Sequence, residues 1–506
     1  MRHAGIGCLS LLLFAAPANA EWLEASSDHF VIYGEEREET LRGFGERLEI
    51  YHAAMARLFG YRVTKPSPSN RLTIYVVSRR AQVGDLAGLD NRYLTGFYVP
   101  RAGSPTAVIP ELKGASSRFE ISAETVLLHE YAHHFMAYLT ARSFPRWFVE
   151  GFAEFFSGVR FKPDGSIGLG TPPLHRAAEL AYAPRVPMRR LLEFDGGTDV
   201  SRAGNDAFYG QSWLLFHYLQ MAPERAGQLA TYQRSLASGE SALEAAEGAF
   251  GDLEALAREM ETYRNRRKLS VLVVDRQTLS VAPVAVRRLR EAEAAILPLS
   301  MQARIGVTAD EAARLLPEVR KVAAAHPRDP VVLAALAEAE ADAGHYDEAI
   351  VAAESALGID PKQVNASIQK AYAMSRKKAS GAMAGGTWDE VRSQCVASSR
   401  IEPGHPVPLA LYYLTYLEAG EPPPLTAILN LERAMELAPF DASLRFAAAQ
   451  QMSNDGRLAE AMQTLAPLAY SPHRGELTEQ SRQLLEDLAK RAGAGQRPAA
   501  APNRPD

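Results

Sequence analysis

Apolar positions change their spacing twice along the chain and so divide it into stretches of different character. Near the start, Asp28-His29-Phe30-Val31-Ile32-Tyr33 and Arg71-Leu72-Thr73-Ile74-Tyr75-Val76-Val77 are runs of β-branched and aromatic residues bounded by polar or Pro/Gly clusters, which predicts two strands. Between them, residues 36–58 are charged and periodic and close at Gly60, which predicts a helix with glycine just past its end. Residues 95–99 and 106–109, separated by Pro100 and Gly103, predict a further hairpin. This first stretch therefore reads as α+β.

From Ser122 the spacing becomes helical. Ser122 suits the N-cap, Glu124 sits in the first turn, and apolar residues recur through Val126, Leu127, Phe135, Met136 and Leu139. Pro145 suits a first helical position and Gly158 the residue after a last turn, so residues 146–157 should form a short helix. A third helix is predicted over 208–221. Helical character continues to about Tyr263, and residues 269–274 then predict an isolated strand in a connecting segment.

The last third is rich in Ala and Leu, with turns at regular intervals. Leu333, Leu336, Ala337, Gly344, Tyr346, Ala349, Ala353, Ala356 and Pro361 are spaced as in a tetratricopeptide repeat. Ala349, Val391, Ala427 and Ala461 recur at intervals of 42, 36 and 34 residues, and Pro361, Pro403, Pro439 and Pro472 follow as closers. A small residue is needed where the two helices of a hairpin cross, and stacked hairpins bury a face that none could bury alone. Three or four repeats are expected, two of them irregular, with Cys395 at a core position acting as a small hydrophobe and Tyr412 and Tyr416, one turn apart, packing rather than lining a peptide groove.

Composition adds a compartment and removes a class of partner. The N-terminus runs Met1-Arg2-His3, then apolar from Ile6 to Ala16, then Ala18-Asn19-Ala20 before Glu21, the pattern of a cleavable export signal. Removing it would leave 54 basic against 60 acidic residues and a lone Cys395, so no disulfide within the chain is expected. Without a basic field, nucleic acid is a poor partner. No later apolar window approaches the roughly 20 residues a transmembrane anchor needs. Export to a bacterial periplasm, or secretion, follows as the expected localisation.

The chemistry centres on His129-Glu130-Tyr131-Ala132-His133, an H-E-x-x-H on a predicted helix. A spacing of four places both imidazoles on one face, within reach of a single ion, while Glu130, one step round, can touch a metal-bound water without ligating. The next helix carries Trp147-Phe148-Val149-Glu150-Gly151-Phe152-Ala153-Glu154, where Glu150 can supply a third, carboxylate ligand and leave a fourth position open. Glu154, one turn beyond Glu150 on the same face, can accept the second ring N–H of a ligand histidine. His134 points about 100° away from the motif, which favours a structural role.

The pairing of H-E-x-x-H with W-x-x-E-G-x-A-E resembles the gluzincin metallopeptidases, specifically the peptidase MA-like family related to the M1 aminopeptidases. The resemblance covers about residues 21–265. It implies a zinc site of one ion per chain, with His129, His133 and Glu150 as ligands and Glu130 as general base. Phe208-Tyr209-Gly210-Gln211-Ser212 resembles the Y-E-K-G segment of the M1 group, which implies Tyr209 as the donor to the transition-state oxyanion. Sixteen residues separate His133 from Glu150, where the M1 enzymes have eighteen, and no G-A-M-E-N sequence is present. The resemblance therefore does not extend to recognition of a free amino terminus.

Together these features imply an α+β N-terminal part and a helical, gluzincin-like zinc-metallopeptidase domain, followed by an all-α tetratricopeptide-repeat solenoid. The expected division is a signal peptide at 1–20, a peptidase domain at 21–265 (α+β over 21–115, helical with zinc over 116–265), a connecting segment at 266–309, repeats at 310–489 and a disordered tail at 490–506. The expected function is hydrolysis of peptide or protein substrates by a zinc-activated water with Glu130 as base, the repeats recruiting a protein partner. Residues 106–109, as an edge strand above the metal, would pair with extended substrate. The competing expectation is a protein-binding repeat scaffold whose zinc domain is catalytically silent.

Overall fold

The computed structural model describes residues 21–61, 65–88, 94–112, 121–140, 142–193, 206–381, 386–471 and 475–495. The expected export signal at 1–20 lies outside them. In chain order the N-terminal part comprises β1 (Leu23–Ser26), β2 (Phe30–Gly34), α1 (Glu38–Phe59), β3 (Leu72–Val77), α2 (Arg80–Leu86), β4 (Phe97–Val99) and β5 (Thr106–Pro110). Then come α3 (Ala123–Leu139), α4 (Arg146–Ser157), β6 (Val159–Phe161), β7 (Ile167–Leu169), α5 (Ala177–Tyr182), α6 (Met188–Leu192), α7 (Phe208–Met221), α8 (Gln228–Ala237), α9 (Ala242–Phe250), α10 (Leu253–Arg264), β8 (Leu272–Val274) and β9 (Ala285–Arg288).

One six-stranded sheet, ordered β4-β5-β3-β2-β1-β9, carries the N-terminal part. Its centre, β2-β3-β5, is parallel, and every residue of β3 and β5 is buried, as expected where a parallel strand is covered on both faces. Helix α1 presents Leu41, Phe44, Leu48, Tyr51 and Met55 to one continuous core shared with the sheet, α3 and α4. It ends at Gly60, whose φ of 60° is the left-handed conformation that glycine adopts at little cost, and whose N–H bonds Ala56.

Three expectations change here. Residues 106–109 do not form an edge: β5 is interior, because the β4–β5 hairpin folds β4 to the outside. The strand expected to be isolated, β8, pairs antiparallel with β7 in a second sheet, β6-β7-β8, whose three-residue strands are too short to leave an alternating pattern. Residues 266–309 do more than connect, since β9 pairs antiparallel with β1 and closes one end of the main sheet.

The helical repeat opens with α11 (Glu291–Ile305) and α12 (Ala309–Ala325), so it starts before residue 310. Four hairpins follow: α13 (Pro330–Asp342) with α14 (Tyr346–Ile359), α15 (Val364–Ala379) with α16 (Trp388–Ile401), α17 (Pro406–Glu418) with α18 (Leu425–Leu437), and α19 (Ala442–Asn454) with α20 (Leu458–Ala469). Each helix packs on the next. Ala349, Val391, Ala427 and Ala461 are fully buried in α14, α16, α18 and α20, the crossings their spacing marks. Cys395 is buried between Ala371 and Leu411, and burial pushes its thiol up to about 12, so it is an inert hydrophobe. The array ends with α21 (Glu476–Gly495), which runs beyond the expected boundary at 490 because Leu488 is buried against Ala449 and Leu465. Residues 496–506, and Pro472, lie outside the described residues.

The repeats fold back onto the N-terminal part. Asp441 accepts the Ala102 N–H at 2.7 Å, Glu402 accepts the Ser69 N–H and hydroxyl at 2.9 and 3.0 Å, and the Asn70 amide donates to the Leu437 carbonyl at 3.1 Å. The Phe440 ring lies 4.6 Å from His134, on the side of α3 away from the H-E-x-x-H face. His134 is structural, as its direction predicts: its Nδ1 bonds the Tyr98 hydroxyl at 2.6 Å, and burial drives its pKa down to about 3.

Candidate metal centre

Two helices set the site. α3 begins at Ser122, whose hydroxyl accepts the Thr125 N–H at 3.0 Å, a side-chain N-cap as expected. α4 begins after Pro145 and buries ten of its twelve residues, among them Trp147, Phe148, Phe152, Phe155 and Phe156. This aromatic face locks α4 beside α3 and α7. Gly151 makes the close approach to α7 available: a Cβ there would stand 2.6 Å from the Ser212 carbonyl oxygen and 3.0 Å from the Phe216 Cβ. Gly151→Ala is expected to destabilise the protein by about 1–3 kcal/mol, read from the shift in denaturant midpoint, because backbone rather than a flexible side-chain tip stands in the way.

With α4 so placed, His129, His133 and Glu150 each turn one ligating atom to a common point, all within 4.8 Å of one another; no other such group occurs among the described residues. His129 Nε2 and His133 Nε2 are 3.1 Å apart, and Glu150 Oε2 is 3.4 and 3.7 Å from them. An ion held tetrahedrally at 2.0–2.1 Å separates its ligand atoms by about 3.4 Å, so the three spacings bracket the value such an ion requires. Glu150 is 1% exposed and its Oε2 has no hydrogen-bond partner. A buried carboxylate oxygen left unpaired beside two imidazole nitrogens is what a cation would satisfy. The residues present therefore fit a zinc ion.

Electrostatics around the cluster follow from burial opposed by charge. Burial alone would raise the pKa of Glu150, but His129 and His133 hold it well below the usual carboxylate range. Burial would likewise lower His129, yet Glu150, Glu154 and Glu130 together keep it above its ordinary value. Glu130, one step round α3, is half-buried and makes no hydrogen bond or ion pair with the described residues.

Glu154 approaches His129 Nδ1 at 3.7 Å, on the side expected of an orienting carboxylate but beyond a direct hydrogen bond. Its closer partner is Arg176, whose Nη2 and Nε donate to Oε1 at 2.6 and 3.0 Å, and His175 Nε2 stands 3.6 Å from its other oxygen. Glu154 is thus pinned from the far side, with its pKa held at about 2 despite burial, by His175, Arg176 and His129.

Tyr209, in the first turn of α7, is half-buried. Burial, and next the charge of Glu150, push its phenol up, against the pull of Arg146 and Arg176. Its hydroxyl accepts from Arg146 Nη2 at 3.4 Å, and the Arg176 guanidinium lies 4.7 Å from its ring centroid. The Gly210 N–H beside it donates to Glu179 at 2.6 Å, which fixes the start of α7 against α5. Arg146, His175, Arg176 and Glu179 were not marked by any motif, because only the tertiary packing of α4, α5 and α7 brings them to the cluster.

The sequence matches no family model and no curated protein. Among solved structures it is similar to TTC0263, a thermophilic TPR protein in Thermus thermophilus, with 19% identity over 38% of this chain and 99% of that one, at a TM-score of 0.33. It is also similar to a MamA RS-1 ArsTM double mutant, with 15% identity over 40% of this chain and 97% of that one, at a TM-score of 0.27. The helix hairpins from α13 to α20 are themselves the ground on which the C-terminal part is a tetratricopeptide-like helical repeat, an architecture suited to protein partners. No helix of the described residues is long and apolar enough to cross a membrane.

Proposed function

We propose that this chain is an exported zinc-dependent peptidase whose helical repeats recruit a protein partner or substrate. The observation that carries this reading is the convergence of His129, His133 and Glu150 on one point, with the buried Glu150 Oε2 lacking any other partner. The resemblance of the two-helix motif to the gluzincins supports the same chemistry. His129, His133 and Glu150 would hold the ion. Zinc supplies Lewis acidity there, polarising a carbonyl and lowering the pKa of water.

The chain's own residues account for the rest. Glu130, which makes no hydrogen bond or ion pair with the described residues, takes a proton from the attacking water and returns it to the leaving amine nitrogen. Tyr209 donates its phenol proton in a hydrogen bond to the carbonyl oxygen as charge builds on it, a contact stronger in the transition state than in the ground state. Glu154, clamped by Arg176, biases the His129 ring electrostatically toward the tautomer that leaves Nε2 free. β4, an edge strand of the main sheet that contacts α3, would take the place of β5 in pairing with an extended peptide.

A mixed peptide library incubated with the mature protein should acquire new termini, lose that activity on chelation, and regain it with added zinc. An unchanged library with zinc restored and bound counts against the peptidase reading. The N-terminus of the processed protein should be Glu21, which Edman or mass analysis reads.

A second reading has an observation of its own. Leu414 and Leu417 of α17 and Leu425 and Leu429 of α18 are large apolar side chains left 40–69% exposed on neighbouring helices. That surface suits a protein-binding scaffold in which the metal domain is silent, and the Glu130 variant described in the Discussion separates the two.

A further inference from the structure

We propose that Arg146 forms a carboxylate-binding subsite beside the metal cluster, so that the preferred substrate is a peptide presenting an anionic carboxylate next to the bond cleaved. This rests on the peptidase reading above and names its substrate class.

Arg146 is the first residue of α4 and stands four positions before Glu150, hence on the same face of the helix as the carboxylate that joins the histidines. Its guanidinium lies 4.2 Å from the Phe208 ring centroid, and Nη2 reaches the Tyr209 hydroxyl at 3.4 Å. The group is thereby held at the Tyr209 hydroxyl, the donor assigned to the substrate carbonyl in the reading above.

What distinguishes it is that no acidic side chain pairs with it among the described residues. Arg146 makes no ion pair with the described residues, and its buried Nε has no hydrogen-bond partner. The other guanidinium on Tyr209, Arg176, is already spent on Glu154 and Glu179, at 2.6 and 3.2 Å. Glu150 faces the two histidines instead. A cation half-withdrawn from water without an acid partner is costly, and stacking on Phe208 holds the group in place without supplying the missing negative charge. Arginine's planar fork matches a carboxylate in a bidentate pair, and with Nη2 on Tyr209 and Nε buried, Nη1 is the nitrogen that makes no hydrogen bond with the described residues. The anion has two sources, the C-terminal carboxylate of the peptide or an Asp or Glu side chain within it.

The test uses full-length mature protein and three probes: N-acetyl tetra-alanine as the free acid, the same peptide as the amide, and the amide with one internal Ala replaced by Glu. The zinc-loaded wild type should cleave at least one carboxylate peptide with kcat/KM about 10- to 100-fold above the neutral amide, as expected for one charge-assisted pair. Arg146→Ala should erase that ratio, and Arg146→Lys should restore part of it. The two carboxylate probes tell a carboxy-terminal from an internal acid. Binding to the metal-free protein, followed by calorimetry, gives a readout independent of turnover: wild type should favour the acids and Arg146→Ala should not. Equal cleavage and equal binding of acid and amide by the wild type overturn the subsite while leaving the peptidase intact. Acid-selective binding without any cleavage keeps the subsite and defeats the peptidase.

Discussion

Glu130→Gln is expected to lower peptide hydrolysis by about 10²–10⁴-fold while zinc content and thermal unfolding stay at wild-type values. The amide keeps the size of the side chain but can neither take nor return a proton. Because Glu130 is not among the converging atoms and makes no hydrogen bond or ion pair with the described residues, the substitution removes no contact that holds them, and its charge is felt there only through the field on neighbours such as His129. The experiment compares kcat/KM on any peptide the wild type cleaves, with metal analysis on the same samples. Residual activity within threefold of wild type would remove Glu130 from the chemistry. If, instead, the physiological effect of the protein persists in a variant without hydrolysis, the scaffold reading with a silent metal domain is the correct one.

Trp147→Ala should cost about 3–5 kcal/mol of stability and weaken metal retention together. Trp147 is fully buried, packs on Phe148, Tyr232 and Phe250, and donates its indole N–H to the Tyr232 hydroxyl at 3.3 Å. Glu150 lies one turn further along the same helix, so loosening α4 in its cavity displaces the third ligating atom. Denaturant unfolding of the metal-free and zinc-loaded forms measures both effects. A loss below about 1 kcal/mol would mean that the aromatic face of α4 does not fix the site.

What could be read from the sequence was what is local. A spacing of four between His129 and His133, the Ser122 cap and the turn glycine at Gly60 each depend on geometry within a few residues, and each stands in the fold where that geometry predicts. The repeat was legible for the same reason, since one hairpin's small crossing residue recurs at Ala349, Val391, Ala427 and Ala461. Contacts made by distant packing were not. β1 pairs with β9 across more than 250 residues, and both are four-residue strands with polar members, so neither leaves a pattern. Arg146 precedes the α4 motif without belonging to it, and its relation to Phe208 and Tyr209 exists only once α4 and α7 cross. Glu154 illustrates both limits: helix periodicity gives its face, but not that Arg176, from another part of the chain, holds its carboxylate.

The repeats add a geometric consequence. Phe440 and Leu437 rest against the side of α3 opposite the histidines, through His134, Tyr138 and Asn70. The helix carrying the H-E-x-x-H is therefore clasped between the cluster on one face and the C-terminal array on the other.

Elemental analysis of the purified mature protein beside His133→Ala addresses the metal centre itself. About one zinc per chain in the wild type, nearly lost in the variant because one of three protein ligands is gone, is the predicted result. A wild type that retains no zinc after exposure to it, or a variant that holds as much as the wild type, would contradict the assignment of His129, His133 and Glu150 as a metal site.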